Sequence, residues 1–218
     1  MPLTKLNTAT HFCKMCHRPI REISLFDFTF GAKSICFKCY LGLDPKFQHW
    51  EEDGVKFTSL YPYLEEYQSL LYLYKGCGDI ELSKCFLERA MPYLKLRYRD
   101  YILIPAPSHF TKIATRGFDH VPLMFEGIGK KTVSLIEKTC DIKQSDLGKK
   151  ERAKVGSMLR LRATPSLRKE KILFVDDVYT TGSTARACLS LIKQLHPKKL
   201  EAFVMAKVPK NRKELTAR

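Results

Sequence analysis

Residues 171–187 read KILFVDDVYTTGSTARA, and the fold is decided here. Ile172, Leu173, Phe174 and Val175 form a short apolar run of the β-branched and aromatic kind that predicts a buried strand, and from Ser183 onward the spacing turns helical. Two adjacent acids, Asp176 and Asp177, and a turn of small hydroxyl residues lie between them. The stretch predicts a strand, a turn and a helix meeting at the carboxyl end of the strand. Ligands of open α/β sheets collect at such junctions, because backbone N–H groups and a helix N-terminus point at whatever docks there. Thr180, Thr181, Gly182, Ser183 and Thr184 offer hydroxyl and backbone donors suited to a phosphate, and Gly182 lets the backbone come close. Asp176 and Asp177 can accept hydrogen bonds from vicinal ribose hydroxyls, directly or through hydrated magnesium. Ribose carrying a 5′-phosphate satisfies both halves; the plainer alternative is an N-capped helix beside two solvated acids.

Outward from this stretch, residues 56–63 (KFTSLYPY) predict a strand and residues 65–74 (EEYQSLLYLY) a helix, with residues 44–54 as a linker before them. Residues 79–97 have helical spacing with Pro92 as a kink or an end. Residues 100–107 (DYILIPAP) predict a buried strand, 108–119 a polar loop, and 120–131 another helix. TVSLIEKTC (132–140) and KLEAFVMAKV (199–208) predict further strands, and the charged segment 144–165 a mobile flap. Strands alternating with helical segments imply βαβ units and a mostly parallel twisted sheet with flanking helices, an α/β fold. GIGKKT (127–132) imitates a nucleotide-binding loop, but Met124 stands where the leading glycine belongs and Lys131 where a hydroxyl is needed.

The front of the chain carries Cys13-x2-Cys16 and Cys36-x2-Cys39, nineteen residues apart. Two such knuckles supply four thiolates at tetrahedral corners, so they predict a small structural Zn2+ ribbon module, residues 1–50, ahead of a main domain, residues 51–218. Paired disulfides are the alternative. His11 and His17 are read as bystanders, Cys77, Cys85, Cys140 and Cys188 as small buried hydrophobes, and Phe12, Phe26, Phe28, Phe30 and Phe37 as the core of the module.

The formal charge of +15 is uneven: residues 93–171 carry +10 and 193–218 carry +6, while 51–92 carry −4. Such an excess attracts polyanions with salt-dependent affinity. The scattered basic residues form no base-reading helix. No run of 18 apolar residues and no apolar leader occurs, so the expected compartment is the cytoplasm, or its side of the inner membrane as a peripheral protein.

ILFVDDVYTTGST resembles the signature of type I phosphoribosyltransferases. That resemblance implies that Asp176 and Asp177 hold the ribose hydroxyls of phosphoribosyl pyrophosphate (PRPP), that Thr180, Thr181, Gly182, Ser183 and Thr184 hold its 5′-phosphate, and that Mg2+ accompanies PRPP. The order of the four-cysteine module, YKGCGD (74–79), IPAPSHFTKIATRGFD (104–119) and the PRPP stretch is similar to the ComF family of competence proteins over nearly the whole chain. By position in that family, Lys75 and Gly76 match the pyrophosphate loop. Arg116 and Gly117 fall in its RGF segment, part of the hood of phosphoribosyltransferases, and Lys75 and Arg116 are the candidate catalytic residues. The family's usual Asn-Gln after RGF is Asp119-His120 here, and the stretch near Arg152 lacks its usual Asn.

The resemblance implies a competence factor that binds PRPP and single-stranded DNA and supports DNA uptake in natural transformation, with DNA-uptake or membrane-channel proteins and a helicase as partners. Two alternatives stand beside it: an active phosphoribosyltransferase acting on a nucleobase or amine, and a PRPP-sensing regulator or scaffold.

Overall fold

The computed structural model describes residues 11–20, 34–138, 159–162, 167 and 169–209. A short antiparallel ribbon, β1 (His11–Phe12) with β2 (Pro19–Ile20), and helix α1 (Phe37–Gly42) form the front of the chain. β3 (Gln48–Glu52) and β4 (Val55–Pro62) then make a hairpin whose turn residues Asp53 and Gly54 both have positive φ. The expected linker at 44–54 is therefore half strand. Trp50 stacks on Phe57 at 5.1 Å, a cross-strand aromatic pair that fixes β3 although its other residues are polar.

α2 (Glu65–Leu71) continues into a π-helical turn (Tyr72–Gly76), and a 3-10 turn (Ile80–Lys84) precedes α3 (Met91–Tyr98). Pro92 sits in the first turn of α3, where its missing N–H leaves nothing unpaired, so it opens a helix rather than kinking one. β5 (Tyr101–Pro105) follows as expected. The supposed polar loop after it contains α4 (Phe110–Arg116), because the His109 ring accepts from the Thr111 N–H at 3.3 Å and Gly117 ends the helix in the left-handed region, φ 86°. α5 (His120–Met124), β6 (Lys131–Thr132), β7 (Ile136–Lys138), β8 (Leu159–Leu161), β9 (Lys171–Tyr179), α6 (Ser183–Lys193) and β10 (Lys199–Lys207) complete the order. The expected helix over 120–131 is thus only five residues long. Most of the expected flap, including Arg152, lies outside the described residues, as does Cys140.

Among the described residues the main sheet runs β3-β4-β10-β9-β5-β6, parallel throughout except for the β3–β4 hairpin. β7 and β8 pair separately. Side chains alternate between the two faces of the sheet. Leu173 and Val175 of β9 join Leu103, Phe203 and Met205 on the face covered by α2, α3 and α5, while Ile172 and Phe174 join Ile102, Ile104 and Val204 beneath α6. β9 does not stop at Val175 but continues to Tyr179, so the same alternation sends the adjacent Asp176 and Asp177 toward opposite faces. The front of the chain docks on the first face, where Cys13, Ile35 and Leu43 are buried with Leu60, Tyr61 and Leu70. Among the described residues no helix is long and apolar enough to cross a membrane.

Candidate ribose-phosphate site

Asp177 is the hub of the carboxyl end of β9. Its Oδ2 accepts from Lys75 Nζ at 2.5 Å and lies 3.2 Å from His120 Nε2, and its Oδ1 accepts from the Val178 N–H at 2.6 Å. The Asp177 N–H is taken by Asp176 Oδ1 at 2.9 Å. Lys75 reaches in from the π-helical turn after α2. Arg116, the last residue of α4, donates from Nε to the Lys75 carbonyl at 2.8 Å and has Nη1 2.8 Å from His120 Nδ1. Ser108 donates to Asp119 at 2.8 Å, and the Tyr74 hydroxyl donates to the His120 carbonyl at 2.8 Å. Two segments remote in sequence, at Lys75 and at His120, therefore meet the carboxylate on β9, and Arg116 ties them to each other.

The two acids differ electrically. Burial alone would push the Asp177 carboxyl up, but the His120 hydrogen bond and the Lys75 ammonium outweigh it and hold the group below the usual carboxylate range. Asp176 is driven well above that range by burial and by the charge of Asp177 next to it. Burial acts against the Lys75 ammonium, yet the attraction of Asp177 raises its pKa all the same. The adjacent carboxyls are thus unequal, with the firmly ionised one on the cationic side.

Gly182 forms the turn beyond the strand. It is buried, caps α6 with φ 74°, and a Cβ built there would lie 2.2 Å from the Tyr179 hydroxyl oxygen, so no side chain fits. Tyr179 donates to Glu52 of β3, and Arg186 Nη1 reaches the same carboxylate at 2.5 Å. The hairpin strand that the sequence hid therefore braces the turn. Thr181 and Ser183 hydroxyls lie 3.1 Å apart, with Thr180 and Thr181 exposed.

A cavity of about 460 Å3 joins these parts, and its lining includes Lys75, Arg116, Asp176, Asp177, Thr180 and Thr184. Thr181, Gly182 and Ser183 shape its rim through the turn rather than line it. Gly76 faces a neighbouring hollow with Lys75, Gly78, Lys112 and Arg116. Tyr63, Ser108, Lys112, His120 and Lys138 also line the main cavity and were absent from the sequence-based set. For His120 a signal existed, the departure from the family pattern just after RGF.

At the front, the Sγ atoms of Cys13, Cys16, Cys36 and Cys39 lie within 4.8 Å of one another, with Cys16 and Cys36 3.7 Å apart. A tetrahedral zinc with bonds of about 2.3 Å requires sulfur separations of about 3.8 Å. Spacing and donor set fit a soft divalent ion. Burial would raise the Cys13 thiol, but N–H donors of Cys36, Cys16 and Met15 bring it down to about 7, whereas burial and the neighbouring thiols push Cys39 up. Phe12 and Phe37, expected inside the module, are exposed, and Phe26, Phe28 and Phe30 lie outside the described residues. Cys85 and Cys188 are buried as expected, whereas Cys77 is exposed.

The phosphoribosyl transferase domain family matches residues 121–217. Over 154 residues the chain is 27% identical to competence protein ComFC of Streptococcus pneumoniae, covering 71% of this chain and 69% of that protein. A solved hypoxanthine-guanine phosphoribosyltransferase of Bacillus anthracis is similar at 14% identity and TM-score 0.40, over 62% of this chain and 73% of that chain. A hypoxanthine phosphoribosyltransferase of Staphylococcus aureus is similar at 10% identity and TM-score 0.37, over 61% and 76% of the respective chains.

Proposed function

We propose that this chain, whose phosphoribosyltransferase domain, four-cysteine cluster and ComFC relative fit a ComF-type protein, is a cytoplasmic competence factor that binds PRPP and single-stranded DNA and supports DNA uptake. The observation that carries the PRPP half is the single cavity shared by Asp176, Asp177, Lys75, Thr180 and Thr184. The N–H groups of the turn at Gly182 and the start of α6 receive the 5′-phosphate, helped by the hydroxyls of Thr180, Thr181, Ser183 and Thr184. The ribose hydroxyls donate to the remaining lone pairs, one on Asp177 Oδ1 and the rest on Asp176. Lys75, beside Gly76, faces the pyrophosphate.

Three of the four lone-pair positions of Asp177 are occupied by Lys75, His120 and the Val178 N–H. Mg2+ therefore arrives with PRPP, on the ligand's own oxygens and water, which is how this ion is commonly held beside substrate phosphates. It would neutralise charge on the pyrophosphate. The soft four-sulfur cluster takes Zn2+, which braces the front against the core.

The DNA half rests on the charge of +10 over residues 93–171, which includes the cavity residues Lys112, Arg116 and Lys138, and on the ComFC relative. DNA-uptake or membrane-channel proteins and a helicase are the partners this role calls for. Turnover is the second reading, favoured by the lining of the same cavity, to which Ala106, Pro107 and His109 add an apolar and aromatic surface on which an acceptor base could rest. Its test is pyrophosphate release across a panel of nucleobases and amines.

The deciding experiment is a calorimetric titration of PRPP with magnesium into wild type and into an Asp176→Asn, Asp177→Asn variant. Binding by wild type and its loss in the variant are expected; a wild type that gives no heat overturns the PRPP assignment. Oligo-dT binding by fluorescence anisotropy should fall steeply between 50 and 200 mM salt, roughly tenfold or more if a few phosphates are neutralised. Salt-independent binding would remove the electrostatic argument.

A further inference from the structure

His120 has two ring nitrogens with different neighbours, and their chemistry fixes its state. Nδ1 lies 2.8 Å from Arg116 Nη1, and a guanidinium can only donate. Nδ1 is therefore the acceptor and carries no proton. Among the described residues Ser108 Oγ also lies near it, at 3.3 Å, but gives its single proton to Asp119 Oδ1 at 2.8 Å, and that carboxylate oxygen is itself 3.8 Å from Nδ1, beyond hydrogen-bond reach. The ring proton then resides on Nε2, 3.2 Å from Asp177 Oδ2. The Tyr74 hydroxyl on the His120 carbonyl pins the backbone of the same residue. A one-way chain of donors results, from Arg116 through His120 to Asp177.

The chain spans the fold. Arg116 ends α4, His120 opens α5 across the left-handed turn at Gly117, and Asp177 lies on β9. We propose that His120 is a positioning residue, a neutral Nε2–H imidazole that fixes the Arg116 guanidinium and the Asp177 carboxylate relative to one another. Its consequence for ligand binding rests on the PRPP reading: the ribose subsite on Asp177 and the cationic wall at Arg116 are held ready as one unit, so the ligand does not bear the cost of ordering them. Any side chain that accepts at the first nitrogen position and donates at the second can stand in. Glutamine does both through its amide oxygen and its NH2; alanine does neither.

The first test needs no ligand. A long-range 1H–15N correlation spectrum of the full zinc-loaded chain at neutral pH, with the His120 signals assigned by their loss in H120Q, should show protonated Nε2 and bare Nδ1. A protonated Nδ1 overturns the proposal. The second test titrates PRPP with magnesium into wild type, H120Q and H120A. We expect H120Q within about threefold of wild type and H120A weaker by about tenfold or more, the size of one lost charge-assisted hydrogen bond. Equal affinity for H120A and wild type, or H120Q as weak as H120A, overturns it. A wild type that ignores PRPP sinks the PRPP reading instead, and the ring spectrum still decides what His120 does.

Discussion

Lys75 Nζ and Asp177 Oδ2 are 2.5 Å apart although 102 residues separate them, and this contact joins the turn after α2 to the end of β9. Asp177 is only 11% exposed at its side chain, so its charge depends on that partner. Lys75→Met keeps the length of the stem and removes the ammonium. It should lower stability by about 1–3 kcal/mol, since the carboxylate keeps only His120 and the Val178 N–H as donors to it. It should also weaken PRPP binding by tenfold or more. Urea unfolding and calorimetry on the same preparation check both; an unchanged affinity would remove Lys75 from the pyrophosphate.

Gly182 offers a sharper steric case. Alanine there must adopt φ 74° and place Cβ against the Tyr179 hydroxyl, which is held by Glu52. Strain of roughly 1–3 kcal/mol is expected from the backbone conformation alone, and the turn must open to relieve it. Gly182→Ala should therefore lose both stability and PRPP affinity, whereas Thr181→Ala, on an exposed side chain, should lose only affinity. Thermal unfolding of the two variants separates the effects.

The opposite end of the sheet supplies a pH dependence. Glu201, 5% exposed at the start of β10, meets Lys199 at 2.5 Å, Arg97 at 2.9 Å and the Tyr101 hydroxyl at 3.1 Å. Burial pushes its carboxyl up, but Lys199 and Arg97 outweigh burial and leave it below the ordinary value. The unfolded chain then binds the proton more readily than the folded one, so this contribution to stability is complete above an unfolded value of about 4.3 and is lost as pH falls through the folded value. Glu201→Gln should shrink the difference in unfolding free energy between pH 7 and pH 3 while PRPP binding at pH 7 stays as in wild type. An unaltered acid limb would assign that limb to other carboxylates.

The apolar run of β9 and the hydroxyl turn were legible because each is local: four successive apolar residues dictate a buried strand, and a glycine between hydroxyl residues dictates a turn. β3 was not legible, since its only strong apolar residue, Trp50, gains its meaning from Phe57 across the hairpin. α4 was hidden in the same way, behind a histidine serving as N-cap. The convergence of Lys75 and His120 on Asp177, with Arg116 bonded to both of them, is a product of tertiary folding that no spacing along the chain encodes. Family resemblance put Lys75 and Arg116 near the site but passed over His120, where this sequence departs from the family.

The four-sulfur cluster makes the last prediction, and the choice of variant matters. Cys13 is fully buried in the core of the main domain, so its replacement would confuse packing with metal binding. Cys16 is exposed, so Cys16→Ser removes a ligand and almost no packing. Purified wild type should carry one zinc per chain and Cys16→Ser substantially less, read by elemental analysis. Because Ile35 and Leu43 from the same front segment are buried among Leu60, Tyr61 and Leu70, metal loss should loosen the first face of the sheet as well as the knuckles. A fall in Tm of about 5 °C or more follows if the cluster contributes even 2 kcal/mol to a chain of this size. A chelator should reproduce that fall in wild type and leave Cys16→Ser unmoved. If wild type holds no metal and Cys16→Ser melts with it, the front is held by its buried side chains alone and the cysteines are not ligands.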